Sequence, residues 1–181
     1  GEAGDKGRAS VLAAKSGDKL KIKVNAAGYL SEQPDTWNGR PIKNIRLDQQ
    51  PYWHIERARL DGTRKVPVEL IVNGYPVEKR EIDADGKLNE LTFDYTPKHS
   101  SWVAVRIFPS SHTNPVFVEV DGKPIRASKR SAQWCIDAVE TCWNQKVKGT
   151  RATEKEAARA AYDVAKDAYT KALAEAVDDR P

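Results

Sequence analysis

The period of the apolar pattern changes once along this chain, near Ser128, and that change constrains the fold more than any single motif. From Trp102 to Phe108 alternate residues fall on two faces, Trp102, Ala104, Arg106 and Phe108 against Val103, Val105 and Ile107. Val116, Val118 and Val120 repeat the period of two, which is the spacing of a strand. Asp121-Gly122 then supplies a tight turn. After Ser128 the apolar residues Ala132, Cys135, Ile136, Val139, Cys142 and Trp143 recur at helical spacing and make one stripe.

Upstream of that point the chain reads as short strands separated by turns. Strands are predicted over Leu20 to Ala27, Trp53 to Leu60, Val66 to Val72, Val77 to Ile82, Leu88 to Tyr95, Trp102 to Phe108 and Val116 to Val120. Asp61-Gly62, Asn73-Gly74 and Asp85-Gly86 provide residues that tolerate positive φ. The stretch from Ser31 to Lys43 has no period and reads as one long surface loop. Short strands at this turn spacing predict a mainly β protein with α, an antiparallel Ig-like β-sandwich over residues 1–128, followed by a helical hairpin over 129–181. Ser128 is placed to cap the first helix, and Thr153 with Glu156 has the spacing of a capping box for the second. That second helix is rich in Ala, so each apolar position buries little area and its stability depends on docking.

Charge and composition narrow the function. The chain has 181 residues and a net charge of +4, spread as +3 before Lys129 and +1 from there on. Nucleic-acid binding concentrates Lys and Arg on one element, and the alternating Lys19, Lys21 and Lys23 read instead as the solvated face of a strand. No apolar run approaches the roughly 18 residues of a membrane span. The chain begins with Gly and contains no Met, which predicts a piece of a longer protein. The compartment is left open, and a periplasmic or secreted location follows if an upstream part carries a signal.

The candidate chemistry is sparse. Cys135 and Cys142 lie two helical turns apart, a Cα separation of about 10.5 Å, beyond the roughly 7 Å reach of a disulfide. His54, His99 and His112 have no second His or Cys at ligand spacing. No metal site, cofactor or catalytic residue is therefore assigned. Ser110, Ser111 and His112 lack the nucleophile-elbow pattern. The polar run His112, Thr113 and Asn114, bounded by Pro109 and Pro115, is predicted as a rigid loop at one end of the β domain that presents a contact surface. Trp53, His54, Glu56 and Arg57 form the other dense cluster, with His54 and Glu56 on one face of the predicted strand and Trp53 and Arg57 on the other. His54 and Arg57 join His112, Thr113 and Asn114 as candidate contact residues, while the five Trp are expected in the core.

The run from Ser100 to Lys146, together with Asn44 to Arg59 (NIRLDQQPYWHIERAR), Val66 to Pro76 (VPVELIVNGYP) and Ala161 to Tyr169 (AYDVAKDAY), resembles the C-terminal module of carbaryl-hydrolase-like, PHP-type metallohydrolases of the CehA/McbA kind. The resemblance covers roughly Lys19 to Ala176. Such enzymes hold their metals on an N-terminal catalytic domain that begins with a His-x-His pair, and no such pair occurs here. What the resemblance implies is a non-catalytic accessory module whose partner is the upstream catalytic domain of the same polypeptide, with self-assembly into a homo-oligomer as a further role. A stand-alone carbohydrate- or ligand-binding β-sandwich is the second reading, and an enzyme using His54, Glu56 and His112 is the third.

Overall fold

The computed structural model describes residues 10–178, so the expected domain limits at 1–9 and 179–181 lie outside the described residues. The protein is mainly β with two C-terminal helices, and it divides into two compact units, one ending at Lys123 and one starting at Pro124. The division precedes the first helix, because Pro124 to Ser128 pack with the helical unit; the Arg126 carbonyl, for example, accepts from the Val177 amide.

In the first unit the strands are β1 (Val11–Ala14), β2 (Leu20–Ala26), β3 (Thr36–Trp37), β4 (Arg40–Pro41), β5 (Lys65–Val72), β6 (Tyr75–Asp83), β7 (Asn89–Tyr95), β8 (Ser101–Ile107), β9 (Ser111–His112) and β10 (Val116–Val120). The large sheet has the order β1-β10-β8-β5-β6, with β9 paired to β8. Every pairing in it is antiparallel except that of β1 with β10. The β5–β6 hairpin turns at Asn73-Gly74, both at positive φ, as a two-residue turn matched to strand twist demands.

Alternation places Val66, Val68 and Leu70 of β5 and Val103, Val105 and Ile107 of β8 on one face of this sheet, all buried. The antiparallel pair β2–β7 covers that face with Ile22, Val24, Leu91 and the fully buried Phe93. Lys21 and Lys23 stay exposed, as the alternating row predicts. A second cluster of Val72, Val103, Val118 and Val120 continues the core toward Leu20 and Tyr95. Burying this apolar area is the main term that offsets chain entropy.

Four local expectations are corrected. Residues 53–60 are not a strand. Ile55–Ala58 is a 3-10 turn capped by His54, whose Nδ1 accepts from the Glu56 amide at 3.1 Å, so His54, Glu56, Trp53 and Arg57 do not sort onto two strand faces. The segment 31–43 carries the small β3–β4 hairpin around Asn38-Gly39 and buries Ile42. The Thr153–Glu156 box is not formed: the chain takes a 3-10 turn over Ala152–Glu154 and the helix starts at Lys155 without a side-chain cap. No Trp belongs to the buried core; Trp53 and Trp134 are 74% and 69% exposed, and Trp37 is exposed as well.

In the second unit α1 (Lys129–Lys146) begins at Ser128, whose hydroxyl accepts from the Ser131 amide at 3.0 Å. It pairs with α2 (Lys155–Glu175). Trp143 and Tyr162 meet with ring centroids 5.3 Å apart and tilted by 58°, and the Arg159 guanidinium lies 5.4 Å from the centre of the Trp143 ring. Glu140 accepts from Arg159 and, at 2.8 Å, from Lys166. Charged side chains close the seam where the small Ala residues leave little apolar area to bury.

Candidate functional site

The face of the large sheet turned away from β2–β7 carries a groove of about 640 Å³. Strand alternation builds it. On β8 the residues opposite the buried valines are Trp102, Ala104 and Arg106, and cross-strand register sets their neighbours in rows. One row is aromatic: Trp102 faces Phe117 of β10. The next is small and aliphatic, Ala104 beside Ile71 of β5, and makes a trough. The third is polar and crosses four strands, Lys79, Glu69, Arg106 and His112. Phe108, Pro109, Ser111, Thr113 and Pro115 supply the remaining wall, and Gly74 lies against the Trp102 ring.

The wall is held rigidly. The Ser110 amide donates to the Ile107 carbonyl at 2.7 Å and closes the turn after β8. Thr113 then locks onto Val105 twice, its amide donating to the Val105 carbonyl at 2.9 Å and its hydroxyl oxygen accepting from the Val105 amide at 3.1 Å. The expected polar loop is therefore partly a strand, its Ser111 and His112 paired with β8. Trp102 is fixed from the other side, its amide donating to Asn73 Oδ1 and its carbonyl accepting from the Asn73 amide.

Arg106 sits at the polar end. Its Nε donates to Glu69 at 2.8 Å, and its guanidinium stacks on Phe108 at 5.0 Å. Its terminal nitrogens have no hydrogen-bond partner among the described residues. His112 bonds the Thr113 carbonyl through Nδ1 at 3.0 Å. A carbonyl only accepts, so Nδ1 carries the proton and Nε2 of the neutral ring is an acceptor. His54 has the opposite tautomer, because its Nδ1 accepts.

Of the five contact residues expected from sequence, His112 and Thr113 line the groove, and Asn114 is exposed beside it. His54 and Arg57 lie elsewhere. Arg57 donates to the carbonyls of Ile45, Arg46, Gln49 and Pro51, so the segment 45–51 folds around its guanidinium. Glu56 is 1% exposed and forms a bidentate pair with Arg59 at 2.6 and 3.0 Å. Neither His54 nor Glu56 lines the groove that holds His112, so the three residues of the catalytic reading are not assembled. Among the described residues, no group of three His, Cys, Asp or Glu stands close enough to hold a metal. Sequence reading missed Trp102, Phe117, Ile71 and Arg106 as groove residues. Their signal was an outward strand face that carries aromatic side chains where a solvated face is ordinarily polar.

The helical unit has a smaller groove of about 400 Å³, between Trp134, Ala138 and Cys142 of α1 and Ala161, Ala165 and Tyr169 of α2. Cys142 Sγ and Tyr162 Oη lie 3.4 Å apart, and this contact with the thiol raises the Tyr162 pKa above its ordinary value. The described helices include none long and apolar enough to cross a membrane.

Comparison with known proteins finds no matching family model, curated protein or solved structure.

Proposed function

We propose that this chain is a non-catalytic accessory module of a PHP-like metal-dependent hydrolase, and that it serves that enzyme by binding through the groove on the outer face of its large sheet. The observation that carries the binding role is the ordered change across three rows of one rigid sheet, from Trp102–Phe117 through Ile71–Ala104 to Glu69–Arg106–His112. A face left to solvent has no need of an aromatic row and an aliphatic row beside a braced arginine, whereas a recognition surface needs apolar area and a few fixed polar groups. The sequence resemblance supports the parent enzyme and places the partner domain upstream in the same polypeptide.

The test is the reading frame upstream of Gly1. It is expected to encode a domain opening with a His-x-His pair, and deleting the present module from the full-length protein should weaken substrate binding while leaving metal content unchanged. An upstream frame without such a domain overturns the accessory reading. The groove alone also fits a stand-alone ligand-binding β-sandwich, since its volume falls in the range of about 300–1,000 Å³ that small-molecule sites occupy. Ligand binding by the isolated chain from a gene without a hydrolase domain would favour that second reading.

A further inference from the structure

Resting on the reading of this groove as a binding site, we infer that its ligand is a small organic carboxylate with a flat apolar body. The body lies on Trp102, Phe117 and the Ala104 trough, and the carboxylate meets the terminal nitrogens of Arg106.

The distribution of polar groups decides the class. Twelve residues line the groove, and only Arg106, Ser111, His112 and Thr113 have strongly polar side chains. These four gather at one end, since Ser111 and His112 pair with Ile107 and Arg106 while Thr113 bonds Val105. The opposite end is aromatic. A sugar needs hydroxyl partners around its whole rim and would leave most of its hydroxyls against Ile71, Ala104 and Phe117. A ligand with one polar head and an apolar body matches both ends. From Trp102 to Arg106 is four residues, about 13 Å of strand, long enough for one ring and a short acidic arm.

The head group is an anion because of how Arg106 is held. Glu69 engages Nε alone, and Phe108 supports the guanidinium plane, so the fork is oriented with both terminal nitrogens still available. That is the geometry in which a guanidinium receives a carboxylate through two parallel bonds. Glu69 has Lys79 as its register partner on the other side. The row Lys79, Glu69, Arg106 holds two basic side chains and one acidic one, a net positive charge. Ser111 and Thr113 line the same end of the groove.

The experiment is an NMR titration of the whole chain with 3-phenylpropionate, its neutral analogue 3-phenylpropan-1-ol, and methyl β-glucoside, reading the Trp102 indole N–H assigned through Trp102→Phe. The acid is expected to move that signal and the Arg106 Nε–H, and to bind at least about tenfold more tightly than the alcohol. Arg106→Gln should bring the acid down to the affinity of the alcohol, and Ala104→Phe should abolish binding of both. Equal binding of acid and alcohol at Trp102, or tighter binding of the glucoside there, overturns the carboxylate assignment and leaves the groove as the site. If the acid shifts only signals remote from Trp102, or binds a folded Ala104→Phe protein unchanged, the groove itself fails. The comparison of acid with alcohol on the unaltered chain stands even if a variant does not fold.

Discussion

Glu56 and Arg59 form a two-pronged ion pair in the interior of the first unit, 1% and 5% exposed, three residues apart on the single turn that His54 caps. Arg59 reaches further, donating to the carbonyls of Thr63 and Ser31. One buried guanidinium thereby joins the 3-10 turn, the approach to β5 and the connection that follows β2. Replacing the carboxylate leaves a buried charge without its counter-ion, which is far more costly than losing an exposed pair. Glu56→Gln is expected to lower unfolding free energy by about 3 kcal/mol or more in urea denaturation. A loss below about 1 kcal/mol would mean that water reaches the pair.

Arg57 is expected to be a folding determinant of its own segment. Its four carbonyl partners lie in a stretch with no strand or helix of its own beyond the turn at Ile42–Asn44. Hydrogen bonds to a charged donor contribute about 1.5–3 kcal/mol each where they are shielded. Arg57→Met should speed amide exchange across residues 45–51 and cost about 2 kcal/mol or more, with the β2–β7 amides left protected. Uniform loss of protection across both strands would show instead that the segment and the core unfold as one.

The helical unit should respond to acid through Glu140. Hydrogen bonds from Arg159 first and then Lys166 hold its carboxyl well below the ordinary carboxylate range, at about 2. A carboxyl whose folded pKa is depressed contributes stability that is full above its unfolded value and is lost as pH falls toward the folded one. The contribution is therefore present at neutral pH and disappears between the ordinary glutamate value of 4.5 and about 2. Comparing melting curves of the unaltered chain and Glu140→Gln should show a difference at pH 7 that closes across this window. A difference that is constant with pH assigns the effect to packing.

Trp143 carries the seam between α1 and α2, with Tyr162 tilted against it and Arg159 over its face. Trp143→Ala should cost about 3 kcal/mol, the lower part of the range for truncating a large aromatic, and should release the helical signal at a lower denaturant concentration than the β signal. Coincident loss of both signals with a change below about 1 kcal/mol would place the seam elsewhere.

The strands that the sequence revealed, β2, β5, β6, β7, β8 and β10, are those long enough for a strand pattern to show within the segment itself. The strand expected at Trp53 to Leu60 failed because side chains there satisfy backbone groups: His54 caps, Arg57 gathers carbonyls, and Glu56 and Arg59 bury as a pair. Such roles follow no period. The opposite error hid β1, a four-residue strand with only Leu12 and Ala14 half-buried, whose placement comes from β10 rather than from its own pattern. His112 and Thr113 were recognisable from their proline-bounded run. Their partners in the groove were not, because cross-strand register, which joins Arg106 to Glu69 and Trp102 to Phe117, is set by turns and pairing that no single segment encodes.

β1 is the one strand of the large sheet that runs parallel to its neighbour, Val11 beside Phe117 and Ala14 beside Val120. The first and last strands among the described residues of this unit are thus laced side by side and point the same way. Tension applied between residues just before Val11 and just after Val120 pulls the two strands in opposite directions along their length. The Phe117 amide bond to Ser10 and the Asp121 amide bond to Ala14 are then loaded together and must break together, where an antiparallel pair pulled from one end opens one bond at a time. Short as it is, this ladder is a shear clasp, and it gives the unit mechanical resistance in the direction along which a longer polypeptide would pull it.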